Sequence, residues 1–155
     1  MTDSYDHVWD DFVRRFKNSR PPVFKVAEYL NREKDCTVEI PRMVLAPDQA
    51  LASHFQDNGD IIVNGKHIVE VKGKSLAFTC KEDFRFPDII VANVASADRH
   101  NAYAFFIVNN HMTHAAMILA STKPYWTKRP VEDKYRGTIE EKYICPIDLV
   151  EFVKL

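Results

Sequence analysis

Asp60 opens one apolar run of the chain, and Glu70 and Lys72 sit among the valines of the next, in the stretch GDIIVNGKHIVEVKGKS from Gly59 to Ser75. Side chains two apart on a strand point to the same face, so Glu70 and Lys72 share one. The turn at Asn64-Gly65 decides where Asp60 goes. A two-residue turn would pair Val63 with Lys66 and leave Asp60 on the face opposite Glu70. A three-residue loop, Val63-Asn64-Gly65 with Gly65 left-handed, pairs Ile62 with Lys66 and sets Asp60 diagonal to Glu70 on one face. A bulge that shifts the register by one residue does the same. The expectation is a hairpin that is not a simple two-residue turn.

Two carboxylates brought to one place repel each other, and a hard divalent cation relieves the repulsion. Mg²⁺ favours oxygen ligands and takes one or two carboxylates, keeping its other positions for water and phosphate. The backbone carbonyl of Val71, between Glu70 and Lys72, is a further candidate oxygen ligand. Lys72 on the same face can position a water or balance charge on a phosphorane-like transition state. Asp, Glu and Lys arranged in this way support phosphodiester hydrolysis.

The elements that must position these groups read as follows. Ser4 or Asp3 caps a first helix with Val8, Trp9, Phe12, Val13 and Phe16 as its apolar stripe, ended by Arg20-Pro21-Pro22. A second helix runs from about Val23 to Glu33. CTVEIPRMVL reads as a strand bent at Pro41, which suits an edge, and Pro47 to Phe55 as a short helix. Apolar residues on both faces of the Gly59–Ser75 stretch argue for an interior strand. DIIVANV, AYAFFIVNN and HAAMILAS read as further strands, the first with a helical alternative. Lys123 to Glu141 reads as an irregular excursion, and IDLVEFVKL as a closing amphipathic helix. The fold class is α/β or α+β: one domain over residues 1–155, with a central mixed sheet flanked by helices.

Gly59-Asp60, nine residues, then Glu70-Val71-Lys72 resembles the core of the PD-(D/E)xK nuclease superfamily. The resemblance is tight over about fifteen residues. Gly59 stands where the motif usually has Pro. It implies a restriction-endonuclease-like core preceded by N-terminal helices, with Mg²⁺ or Mn²⁺ held by Asp60 and Glu70. It implies Lys72 as the residue assisting the nucleophilic water, and Glu28, by its place in the order, as a helical metal ligand. Small phage-type and junction-resolving members suit a chain of this size.

Composition leaves this reading open. The 155 residues are 46% hydrophobic and 28% charged, with a net charge of -1 that still permits a local basic groove. Cys36, Cys80 and Cys145 form no Cys-x-x-Cys pair, which suggests a reducing compartment. The acidic start is no signal peptide, and no run reaches the ~18 apolar residues of a membrane span. The expected setting is therefore intracellular and cytoplasmic, or a host cell if the protein is viral. Lys74 and Ser75 follow the motif directly, and Lys123, Tyr125, Trp126, Lys128 and Arg129 interleave aromatic and basic groups suited to nucleic acid.

Pro87-Asp88 with Glu140-Glu141-Lys142 reads as a coincidental second motif, and His111 with His114 as a turn rather than a zinc site. The expected function is a metal-dependent endonuclease acting on DNA, structure-directed or weakly sequence-specific, with a homodimer open. The alternatives are an RNA endonuclease, for which His54 is an available extra ligand, a non-catalytic nucleic-acid-binding adaptor, and a structural protein in which Glu70 and Lys72 form an ion pair.

Overall fold

The computed structural model describes residues 20–41, 59–133 and 137–155. The expected helices near residues 4–16 and 47–55, and His54, lie outside them. Helix α1 (Arg20–Lys34) begins with the Arg-Pro-Pro that the sequence suggested as a terminator. Pro21 and Pro22 therefore lie inside α1, with Pro22 buried.

The strands are β1 (Val38–Glu39), β2 (Ile61–Val63), β3 (His67–Gly73), β4 (Asp88–Asn93), β5 (Ala104–Val108), β6 (His114–Leu119), β7 (Thr127–Asp133), β8 (Thr138–Pro146) and β9 (Glu151–Lys154). A second helix, α2 (Val94–His100), follows β4 directly. The main sheet is mixed, in the order β1-β2-β3-β5-β6-β9, and a smaller sheet runs β4-β8-β7. The class is α+β. Strand β3 is interior, antiparallel to β2 and parallel to β5. The short β1 is an edge of the main sheet, as Pro41 suggested.

Alternation along the strands divides the core in two. Ile61, Val63, Val69, Val71, Phe106 and Val108 face α1, where Val23, Val26, Ala27 and Leu30 cover them. Ile68, Phe105, Ile107, Ala116 and Ile118 face the other way, against Ile89, Val91, Tyr143 and Cys145 of the small sheet. This second face is therefore covered mainly by strands, where helices were expected. All three cysteines are free.

Two elements differ from the sequence expectation. A 3-10 turn over Ala120–Tyr125 leads into the span read as irregular, Lys123 to Glu141, within which β7 and β8 pair from Thr127↔Ile144 to Asp133↔Thr138. Strand β7 is the edge of the small sheet and is wet on both faces, so its sequence shows no apolar alternation. Edge position also tolerates Pro130, which has no N–H to donate. IDLVEFVKL forms a 3-10 turn at Ile147–Leu149 and then strand β9, not a helix. Adjacent Phe152 and Val153 serve opposite core clusters, a demand that a strand meets and one apolar helix face does not. Among the described residues no helix is long and apolar enough to cross a membrane.

Candidate active site

The β2–β3 hairpin combines a tight turn with one extra residue. Asn64 and Gly65 both have positive φ (52° and 68°), and the Lys66 N–H donates to the Val63 carbonyl at 3.1 Å. The ladder nevertheless resumes at Val63↔His67, followed by Ile62↔Ile68 and Ile61↔Val69. Lys66 is thus the surplus residue of a bulge, and the loop is Asn64-Gly65-Lys66 rather than Val63-Asn64-Gly65. Continuing that register sets Asp60 directly opposite Glu70, not diagonal to it.

The strand leaves the sheet at this point. Gly59 has φ +113°, a conformation closed to proline, whose ring holds φ near about -65°. A Cβ at Gly59 would lie 2.5 Å from Ile68 Cγ2 and 3.8 Å from Glu70 Oε1. Glycine at the position where the motif usually has Pro is therefore a requirement of this backbone. Beyond Ile61 the Asp60 carboxylate replaces the ladder: its Oδ2 accepts the Val71 N–H at 2.8 Å. The Val71 carbonyl leaves β3 on the same edge as that N–H, because both groups of a strand residue point to one neighbour.

Glu70 is largely enclosed and accepts a 2.8 Å hydrogen bond from His100 Nδ1, at the last residue of α2. Asn101, with φ 50°, follows in the left-handed conformation and returns its N–H to Ala97, closing the helix behind His100. Lys72 projects on the Glu70 side. Burial, with repulsion from Lys74 and Lys142, lowers its ammonium to about 8 against the opposing pull of Glu70 and Asp60. Lys72 therefore lies within electrostatic reach of both carboxylates, and the structure brings Asp60, Glu70 and Lys72 together.

The other candidate residues distribute differently. Lys74 and Ser75 are exposed where β3 exits, and desolvation together with Lys142 lowers the Lys74 ammonium. Glu28 is exposed on α1, pairs with Arg32 at 3.1 Å, and belongs to the helix covering the opposite face of the sheet. Trp126 packs edge-on against Phe105 and near Tyr143, and its Nε1–H donates to Thr122 at 2.9 Å. Lys123 pairs with Asp98 at 2.9 Å, Arg129 pairs with Asp88 at 2.7 Å, and Lys128 lies 5.7 Å from the Tyr143 ring.

Asp88 and Lys142 pair with Pro146 and Asn93, at opposite ends of the β4–β8 ladder, so that second motif does not assemble. His111 lies in the turn before β6, and His114 Nδ1 contacts Thr113 Oγ1 at 2.9 Å. Two residues at the site were not singled out in the sequence for it. His100 sits in an unremarked helix, and Lys142 reaches Lys72 only through the packing of the small sheet.

Among the described residues no three His, Cys, Asp or Glu side chains gather into a cage for a metal ion. The donors at hand are two carboxylates and the Val71 carbonyl. Such a set fits a hard cation that keeps several waters, Mg²⁺ or Mn²⁺, better than a cation needing nitrogen or sulfur ligands. Comparison with known proteins finds no matching family model, curated protein or solved structure.

Proposed function

We propose that this protein is a metal-dependent nuclease that hydrolyses phosphodiester bonds in DNA, with a restriction-endonuclease-like core. The observation that carries this reading is the convergence of Asp60, Glu70 and Lys72 at the point where β2 peels away from an interior strand. An interior β-strand does not hold two charges on one face without a compensating role.

Asp60 and Glu70, with the Val71 carbonyl, would hold Mg²⁺ or Mn²⁺, which when bound supplies an acidified water and polarises the phosphate. The chain's own groups do the rest. His100 fixes the rotamer of Glu70 through its 2.8 Å bond, and the Val71 N–H fixes that of Asp60. Lys72, held at about 8, can hold or accept a proton at Nζ near neutral pH and, when charged, offsets charge on the reacting phosphate. Lys74 adds positive potential beside it, which favours approach of a polyanion, while Lys142 is paired with Glu140 at 3.2 Å.

The test is cleavage of single-stranded, duplex and branched DNA in EDTA, Mg²⁺ or Mn²⁺. The expected outcome is cleavage only with metal, lost in Asp60→Ala and Lys72→Ala. DNA binding without cleavage under any metal would replace this reading with a non-catalytic nucleic-acid-binding role.

A further inference from the structure

Toward the start of β3, beside Glu70 and His100, the surface opens into a groove of about 640 Å³. That volume falls within the roughly 300–1,000 Å³ typical of sites for one small ligand. Lys66, His67, His100, Tyr103 and Ser121 contribute polar lining, with Ile68 among the apolar residues. No carboxylate is among the described residues that line it. Among them Lys66 is the one formally charged side chain, and the histidines, Tyr103 and Ser121 add hydrogen-bonding groups, a set that suits an anion carrying a polar ring.

Its aromatic wall is mounted firmly. The His67 and Tyr103 rings lie 4.7 Å apart at 46°, and Tyr103 remains 54% exposed beside the groove. The Tyr103 N–H donates to Ile68 at 2.7 Å and its carbonyl accepts from Ala120 at 2.9 Å, so the backbone under the ring is tied on both sides. An exposed ring on a fixed backbone, in the same groove as a lysine, is the pairing that receives a base and its phosphate. His100 joins this groove to the candidate active site, since its Nδ1 lies 2.8 Å from Glu70 Oε1 while its side chain lines the groove.

We infer that this groove binds one unpaired nucleotide of a DNA strand, with the base on Tyr103 and His67 and the phosphate toward Lys66. The inference rests on reading the neighbouring site as a nuclease and narrows its substrate to DNA with unpaired nucleotides. A base within a duplex is stacked on both sides and cannot offer its face to Tyr103.

Binding is measured by fluorescence anisotropy in EDTA, using a fluorescein-labelled single-stranded 12-mer and the matching blunt duplex. Wild type should prefer the single strand. Tyr103→Ala, a change at an exposed ring, should weaken single-strand binding by roughly ten-fold and leave duplex binding alone, while Tyr103→Trp restores it. Unchanged single-strand binding in Tyr103→Ala, or equal losses for both DNA forms, would overturn the groove assignment. Cleavage by wild type with Mn²⁺ is scored separately. Cleavage with Tyr103-independent binding removes the groove and keeps the nuclease; Tyr103-dependent binding without cleavage does the reverse.

Discussion

Asp60 stands opposite Glu70 because Lys66 is an extra residue in the turn between them. Were Lys66 to join the ladder, the Asn64-Gly65 turn would pair Val63 with Lys66 and send Asp60 to the α1 side of the sheet. Deleting Lys66 leaves Val63 paired with His67 across a two-residue Asn64-Gly65 turn, so Asp60 stays opposite Glu70 and metal binding should survive. Lys66→Gln keeps the residue count and should keep the metal affinity. Calorimetric titration of Mn²⁺ into both variants checks this, and a deletion variant that loses its Mn²⁺ affinity would contradict the register.

Gly59→Ala should cost about 1–3 kcal/mol, since alanine at φ +113° is strained and its Cβ meets Ile68 Cγ2. Urea unfolding measures the loss. Cleavage should fall as well, because the same backbone bend sets the Asp60 carboxylate on the Val71 N–H. A variant as stable and active as wild type would show that the bend does not matter.

Burial of the Lys72 ammonium should cost stability, a cost that its proposed role in the site would account for. Its folded pKa of about 8 lies below the ordinary 10.5, mainly through burial. Between those values the unfolded chain binds more protons than the folded one, so stability should rise as pH increases from about 8 toward 10.5. Lys72→Met should raise stability at pH 7 by roughly 1–2 kcal/mol, flatten that rise, and abolish cleavage. Denaturant midpoints at several pH values decide it. A less stable Lys72→Met protein would mean that the ammonium is net stabilising where it sits.

His100 acts through Glu70. Removing its hydrogen bond in His100→Phe should lower metal affinity or activity by about 10–100-fold, as loss of a partner to a metal-binding carboxylate commonly does. His100→Asn, which keeps an N–H donor, should recover part of it. The informative readout is the Mn²⁺ concentration for half-maximal rate. It should shift in His100→Phe and move back toward wild type in His100→Asn. Equal behaviour of the two variants would assign His100 a packing role.

The hairpin was legible because its signals are local: Asn-Gly, alternating apolar residues, and charges at fixed offsets. Even so, three-residue and bulged turns predict the same facing for Asp60, and spacing alone could not say that Lys66 is the residue left over. The strands β4, β5 and β6 were legible for the same reason. Strand β7 was not, since an edge strand wet on both sides carries no apolar period. Nor was β9, where neighbouring apolar residues serve opposite faces and imitate a helical stripe. His100 and Lys142 reach the site through tertiary packing, a relation that no spacing in the chain records.

The most direct test is the single-turnover rate of DNA cleavage against Mn²⁺ concentration, for wild type and Glu70→Gln. Glu70→Gln keeps the shape of the side chain and a polar partner for His100 while removing the carboxylate charge. Wild type should show saturable, metal-dependent cleavage, and Glu70→Gln should lose at least about 100-fold in rate at every metal concentration. Cleavage by Glu70→Gln at the wild-type rate would place the chemistry elsewhere.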